Sequence, residues 1–310
     1  IWNSAMLIPL WMIITISAAL LQNLRTIEQR RISDAAGLYF GTCSRFIFGL
    51  PWAAGFAILV FAVNDLSFPY GSFIWWLQML AVAVSQIGAT LLLLLVLRKR
   101  NFLVANLFAK LDVLFIVAMA HFLFAIHIAD IGWLAMVFTI AGILLLAVPR
   151  LDASLAEKSA LLESVAIGIA SSILFAFASL FVREAVLGAG MEHELFAAVI
   201  VLVCVLAMQA AIALAAMPFL IGNGFFQQSS VTGPVVKRAL RAGFYSAAAS
   251  LCWFWAFSLA HPANIRIVGQ IELVFISLAT WLIFKERPTR LEWLGSALIA
   301  ASIMLFVIDG

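Results

Sequence analysis

Charge is what this 310-residue chain lacks. Asp, Glu, Lys and Arg make up 11% of it and apolar residues 65%, against about 25% charged residues in a globular domain. Mean hydropathy is +1.14. Too little charge remains to cover a soluble surface, so the chain reads as an integral membrane protein. The net charge of +3 does not point to nucleic acid, because the bases fall in short connections and form no single basic face. Cysteine is scarce too. Cys43, Cys204 and Cys252 lie inside apolar runs without paired spacing, which argues for small core residues over metal ligands or disulfides. The first apolar run, from residue 1 to about residue 24, has no small-residue cleavage site and reads as a span. The chain begins without methionine, so a short preceding piece is expected. No phosphate-binding motif supports primary pumping, and no nucleophile or paired His/Asp motif supports an intramembrane enzyme. His193-Glu194 does not extend into a metal-binding helix, and neither a metal nor a cofactor is expected.

What is abundant is apolar runs of about 20 residues, the length a helix needs to cross a bilayer. They fall near 3–24, 35–61, 72–97, 102–126, 131–148, 162–184, 194–219, 238–259, 262–284 and 290–308, predicting an all-α protein of ten transmembrane helices. No room is left for a soluble domain, and the most polar stretch, Gly222 to Pro234, reads as a loop. Bases gather in the odd-numbered connections: Arg25, Arg30 and Arg31; Arg98, Lys99 and Arg100; Arg150 and Lys158; Lys237, Arg238 and Arg241; Lys285, Arg287 and Arg290. The other connections hold Asn64, Asp65, His127, Asp130, Glu184, Glu192 and His261, with Arg183 as their clear base. Since bases favour cytoplasmic loops, the odd connections are expected in the cytoplasm and both termini outside.

Displaced by 160 residues, the chain matches itself at its polar intramembrane positions. Ala109-Lys110-Leu111-Asp112 falls on Gly269-Gln270-Ile271-Glu272, Asn106 on Arg266, Phe115-Ile116 on Phe275-Ile276, and Trp133-Leu134 on Trp293-Leu294. Two copies of one unit are expected, residues 1–150 and 151–310. With five spans each, the second is inverted, an architecture of many secondary transporters. The loop signals agree with that inversion, since Arg98-Lys99-Arg100 maps onto the uncharged Ser258-Leu259-Ala260.

A charge near the bilayer centre costs about 2.5–3.5 kcal/mol on insertion scales, so each one needs a partner or a wet cavity. Lys110, Asp112, Gln270 and Glu272 are all expected near mid-membrane. Residues four apart share a helix face. Asn106, Lys110 and His121 then form one stripe, and Arg266, Gln270, Ser277 and Trp281 the other, with Lys110 and Gln270 toward a central cavity and Asp112 and Glu272 toward neighbouring helices; the reverse assignment is also open. Functionally the group reads as a substrate or coupling-ion site, with Asp112 and Glu272 as proton carriers; structurally it reads as helix-locking bonds. Arg45 is expected to pair with Asp112 or to bind an anion, and Arg266 either snorkels or faces the cavity. Gln86, Thr90, Tyr245 and Ser250 are candidate pocket residues, and Trp253, Trp255 and Trp281 candidate aromatic contacts for a substrate. Gln22, Asn23 and Arg25 are expected to end the first span, at a gate or as an ordinary cap.

Gly269-Gln270-Ile271-Glu272, the run Phe284-Lys285-Glu286-Arg287-Pro288, Trp293-Leu294-Gly295-Ser296-Ala297-Leu298-Ile299, and Arg45-Phe46 in the second span together resemble the EamA-like branch of the drug/metabolite transporter superfamily. The resemblance covers essentially the whole chain. It implies a central cavity lined mainly by spans 1, 3, 4, 6, 8 and 9, peripheral spans 5 and 10, and alternating access by rocking of the halves. Relatives carry amino acids, nucleotide precursors, amphipathic metabolites and drugs, usually outward. Two features depart from the family pattern: relatives are often drawn with cytoplasmic termini, and Ile126 stands where Glu286 has its counterpart. The expected protein is therefore a secondary transporter, an exporter, of a small polar or amphipathic metabolite in a bacterial inner membrane. Protons or a counter-substrate drive it, it is a monomer or weak homodimer in the lipid bilayer, and it has no nucleic-acid partner. A flippase for lipid-linked substrates or a channel is the alternative.

Overall fold

A computed structural model describes residues 9–63, 71–99, 111–124, 130–147, 155–221, 232–282, 285 and 289–309. Among them every regular element is a helix: α1 (Leu10–Ala36), α2 (Leu38–Ile47), α3 (Leu50–Val63), α4 (Phe73–Lys99), α5 (Asp112–Phe124), α6 (Asp130–Ala147), α7 (Leu155–Leu187), α8 (Glu194–Ile221), α9 (Gly233–Leu259), α10 (Pro262–Gly269), α11 (Ile271–Leu282) and α12 (Arg290–Asp309). Six stretches among the described residues are long and apolar enough to cross a bilayer: Leu10–Ala36, Leu38–Ala62, Phe73–Leu97, Glu163–Leu187, Glu194–Ala216 and Gly233–Leu259. Ile131–Leu145 and Trp293–Ser302 are apolar but shorter.

The usual distribution of a soluble protein is reversed. Ile58, Leu59, Phe73 and Met304 are exposed, whereas Arg45, Asp112, Gln270 and Glu272 are buried. An apolar exterior costs nothing in lipid, and polar side chains inside such a bundle pair with one another. Helix bounds also recur at the offset of 160 residues. Phe73 and Lys99 bound α4 where Gly233 and Leu259 bound α9, and Asp130 begins α6 where Arg290 begins α12. Packing follows the same relation: α1 lies along α9, α4 lies along α7, and α6 packs on α12. Between α6 and α12, Thr139 and Ser302 share a 2.8 Å hydrogen bond, and Ser302 also donates to the Ala135 carbonyl.

Three expected spans are drawn differently. The first does not end near residue 24, because α1 continues to Ala36. Its polar second half has internal partners: Gln29 donates to the Gly41 carbonyl at 3.1 Å, and Glu28 meets Arg238 and Arg241 of α9, each at 3.4 Å. The second span is interrupted at Phe48-Gly49, where α9 crosses at backbone distance. A Cβ on Gly243 would run into the Phe48 carbonyl. The ninth is interrupted at Gln270. Pro262 sits at the start of α10 and His261 caps it. At the other end, Gln270 N–H turns back to Ile267 O and Leu273 N–H bonds Gln270 O, so tight three-residue turns replace the α ladder. Leu114 N–H bonds Leu111 O in the same way at the entry to α5.

Candidate functional site

These interruptions set where the charges lie. Asp112 falls in the first turn of α5 and Glu272 in the first turn of α11, at helix ends whose free N–H groups and dipole favour a carboxylate. Asp112 is bonded by Arg266 at 2.9 Å, with both side chains at most 10% exposed. Glu272 accepts from Gln22 Nε2 at 2.7 Å, and Gln22 Oε1 accepts from the Trp253 indole at 2.9 Å. That chain joins α11, α1 and α9 through side chains. Arg266 lies 4.7 Å over the Trp253 ring and 5.6 Å from that of Phe257, and donates to Ser179 of α7 at 2.6 Å. Gly269 makes the approach possible, since a Cβ there would press on the edge of the Trp253 ring.

Arg45 completes the group. It donates to Ser246 Oγ at 3.2 Å and Thr90 Oγ1 at 2.8 Å. Among the described residues the charged group that acts on it is Arg25, on which Glu272 acts favourably and Arg266 unfavourably. Arg25, Arg45, Arg266, Gln22, Gln86, Ser179, Ser250 and Trp253 line one cavity, closed on its apolar side by Phe175, Phe254 and Phe257. Its volume is about 30 Å³, enough for a water and too little for a metabolite. The three arginines are 4%, 2% and 8% exposed in chain order, so water does little to screen them.

Of the sequence candidates, Arg266, Gln86, Ser250, Trp253 and Arg45 reach this cavity, and Asp112 and Glu272 hold two of its lining residues from behind. Asn106 and Lys110 lie outside the described residues. The expected Arg45–Asp112 pair is replaced by Arg266–Asp112, because α10 turns Arg266 inward and leaves no need for it to snorkel. Asp112 and Glu272 bond residues of neighbouring helices, Arg266 of α10 and Gln22 of α1. Gln270, expected toward the cavity, is buried beside it and donates to the Arg266 carbonyl at 3.3 Å, whereas Glu272 bonds a cavity residue. The stripe from Arg266 to Trp281 assumed one continuous helix, and the interruption at Gln270 breaks that relation. Trp281 is exposed against Trp293. His121 packs its ring edge-on with Phe122 and Trp133. Tyr245 packs on Phe244 away from the cavity.

Gln22 and Arg25 are the larger surprise, being interior cavity residues and not the end of a span. The spacing of Arg25, Glu28 and Gln29 along one helical face was the available signal, since buried polar residues continue the helix as well as apolar ones do. Arg183, the base on the otherwise poorly basic side, is explained by its bonds to the Phe257 and Ala260 carbonyls at 2.6 and 2.7 Å, where it caps the end of α9. Cys43, Cys204 and Cys252 are free and partly buried.

His261 offers a pH test of the local fold. Its Nδ1 accepts from the Ala263 N–H at 3.2 Å, which requires a neutral ring, and burial with the nearby Arg183 charge pushes its pKa down to about 4. The folded value lies below the ordinary one of 6.5, so the unfolded chain takes up the proton first. Stability is complete above about pH 6.5 and declines as pH falls toward 4. Melting of the detergent-solubilised protein should follow this course. His261→Asn, which caps without titrating, should flatten the slope; an unchanged slope would assign it to other groups.

The class is now defined: a helical membrane protein whose buried, arginine-lined cavity lies among long apolar helices. Residues 162–308 match the EamA-like transporter family. No curated protein sequence matches the chain. A protein of known crystal structure, 16% identical, superimposes over 97% of this chain and 99% of its own with a TM-score of 0.73, a likeness of fold.

Proposed function

We propose that the protein is a secondary transporter that moves a small metabolite by alternating access, with ten spans in two inverted five-span halves, residues 1–150 and 151–310. The observation that carries this reading is the closed polar cavity lined by α1, α2 and α4 from one half and by α7, α9 and α10 from the other. A site built at a repeat interface opens when the halves rock apart, and at about 30 Å³ this one must open to take in a metabolite. Side-chain links at the two ends of the bundle fit such gating. At one end Glu28 of α1 meets Arg238 and Arg241 of α9. At the other, Arg183 of α7 holds the end of α9 and the Trp75 indole bonds Ala185 O at 2.7 Å. The first link brings two odd connections to one face, in line with their cytoplasmic placement in a bacterial inner membrane and with external termini. Glu272 is the candidate proton carrier, export the direction.

Uptake into proteoliposomes of the purified chain under an imposed pH gradient tests this. Saturable transport that responds to the gradient in the parent and loses that response in Glu272→Gln is expected. Unsaturable flux at channel rates, or no solute flux above empty liposomes, would sink the transporter reading.

A further inference from the structure

We infer that the cavity selects small organic anions, a carboxylate sitting among Arg25, Arg45 and Arg266 and an apolar or aromatic body resting against the wall of Phe175, Phe254 and Phe257. This deepens the transporter reading and rests on it. Three guanidinium groups line the cavity and no carboxylate does among the described residues. The nearby acids are already engaged, Asp112 by Arg266 and Glu272 by Gln22, which leaves three positive charges against two negative ones among the described residues. Arg45 is the most exposed to this imbalance energetically and the least exposed to water. Its bonds among the described residues run to two neutral hydroxyls, and its charged neighbour has the same sign. Burying a cation without a counter-charge is costly, and a monoanionic ligand would remove that cost.

Unspent donors point the same way. Arg25 Nε and Arg266 Nε are buried without a hydrogen-bond partner among the described residues, and guanidinium edges suit the two oxygens of a carboxylate. An ammonium group would meet no carboxylate acceptor on these walls, and the Trp253 face is already covered by Arg266. Phe175, Phe254 and Phe257 supply the apolar surface for the rest of the ligand.

The test is equilibrium binding to the full chain in lipid nanodiscs, using benzoate, its neutral isostere benzamide, and benzylammonium. Benzoate is expected to bind and to raise the melting temperature, with the other two weaker by at least about 10-fold, the loss expected when a charge-assisted hydrogen bond is removed. Arg45→Gln should weaken benzoate by about 10- to 100-fold and benzamide less, so that discrimination between the two narrows. Equal binding of benzoate and benzamide, or stronger binding of benzylammonium, would overturn the proposal, as would parental benzoate affinity in Arg45→Gln. If that variant does not fold, discrimination among the three probes by the parent decides alone. Benzoate binding with no solute flux in proteoliposomes would remove the transporter reading and keep the anion site. Flux of cations without benzoate binding would do the reverse.

Discussion

Arg266→Met should destabilise the protein by about 3–5 kcal/mol, the cost of leaving a buried carboxylate without its partner. The mechanism is specific to Asp112. Its side chain is 2% exposed and its bond to Arg266 is 2.9 Å long, so water cannot replace the lost guanidinium. The helix end at which Asp112 sits offsets only part of the loss, a terminal dipole contributing about 0.3–1 kcal/mol, and up to about 2 when buried. Asp112→Asn on its own leaves the cation stranded among Trp253, Phe257 and Ser179 and should also destabilise. The double variant Arg266→Met/Asp112→Asn should recover much of the loss, because two neutral groups need no compensation. Melting of all four proteins in one detergent gives the coupling energy, expected between about 1 and 3 kcal/mol. Additive losses would show that the pair is not the unit that matters.

That pair also marks how far residue order carried the argument. The helical, membrane-embedded character follows from apolar runs whose length is fixed by the bilayer, and a repeat is expected because residues that costly match at one offset. Arg45, Arg266, Asp112 and Glu272 were legible as a group for the same reason. Their partners were not. Hydropathy ends the first span where Arg25 and Glu28 begin, yet α1 continues because those side chains meet α9 and α11 across the bundle. Face assignment by helical spacing assumed one continuous helix, and that helix ends at Gln270. Up to that residue the phase is that of α10, and beyond it that of α11. One short turn therefore leaves Gln270 out of the cavity lining and Trp281 at the exterior. The glycine and proline content around 262–269 hinted at an end to the helix, but only the close approach of Trp253 to Gly269 gives it a physical cause.

Gly243→Val should prevent stable assembly, whereas Gly55→Ala should be harmless or slightly stabilising. Both glycines lie in helices, α9 and α3, so propensity treats them alike and favours either replacement by up to about 1 kcal/mol for alanine. Their surroundings differ. A Cβ on Gly243 would meet the Phe48 carbonyl and crowd the Gly49 nitrogen, both backbone atoms at the interruption between α2 and α3. Backbone cannot swing aside as a side chain can. The two helices would have to separate, and with them Arg45 from Ser246, since that 3.2 Å bond spans the same α2–α9 crossing. Overpacking of a tight contact costs about 1–3 kcal/mol, and valine at a backbone-to-backbone crossing belongs at or above the upper end. Around Gly55 no atom lies within 4 Å of an added Cβ, so the gain in helix propensity stands unopposed. Melting temperatures of the two variants and the parent should place Gly243→Val well below, if it can be purified folded, and Gly55→Ala level or higher. A Gly243→Val protein as stable as the parent would mean that α9 does not cross α2 and α3 at backbone distance, and the placement of Arg45 at the cavity would fall with it.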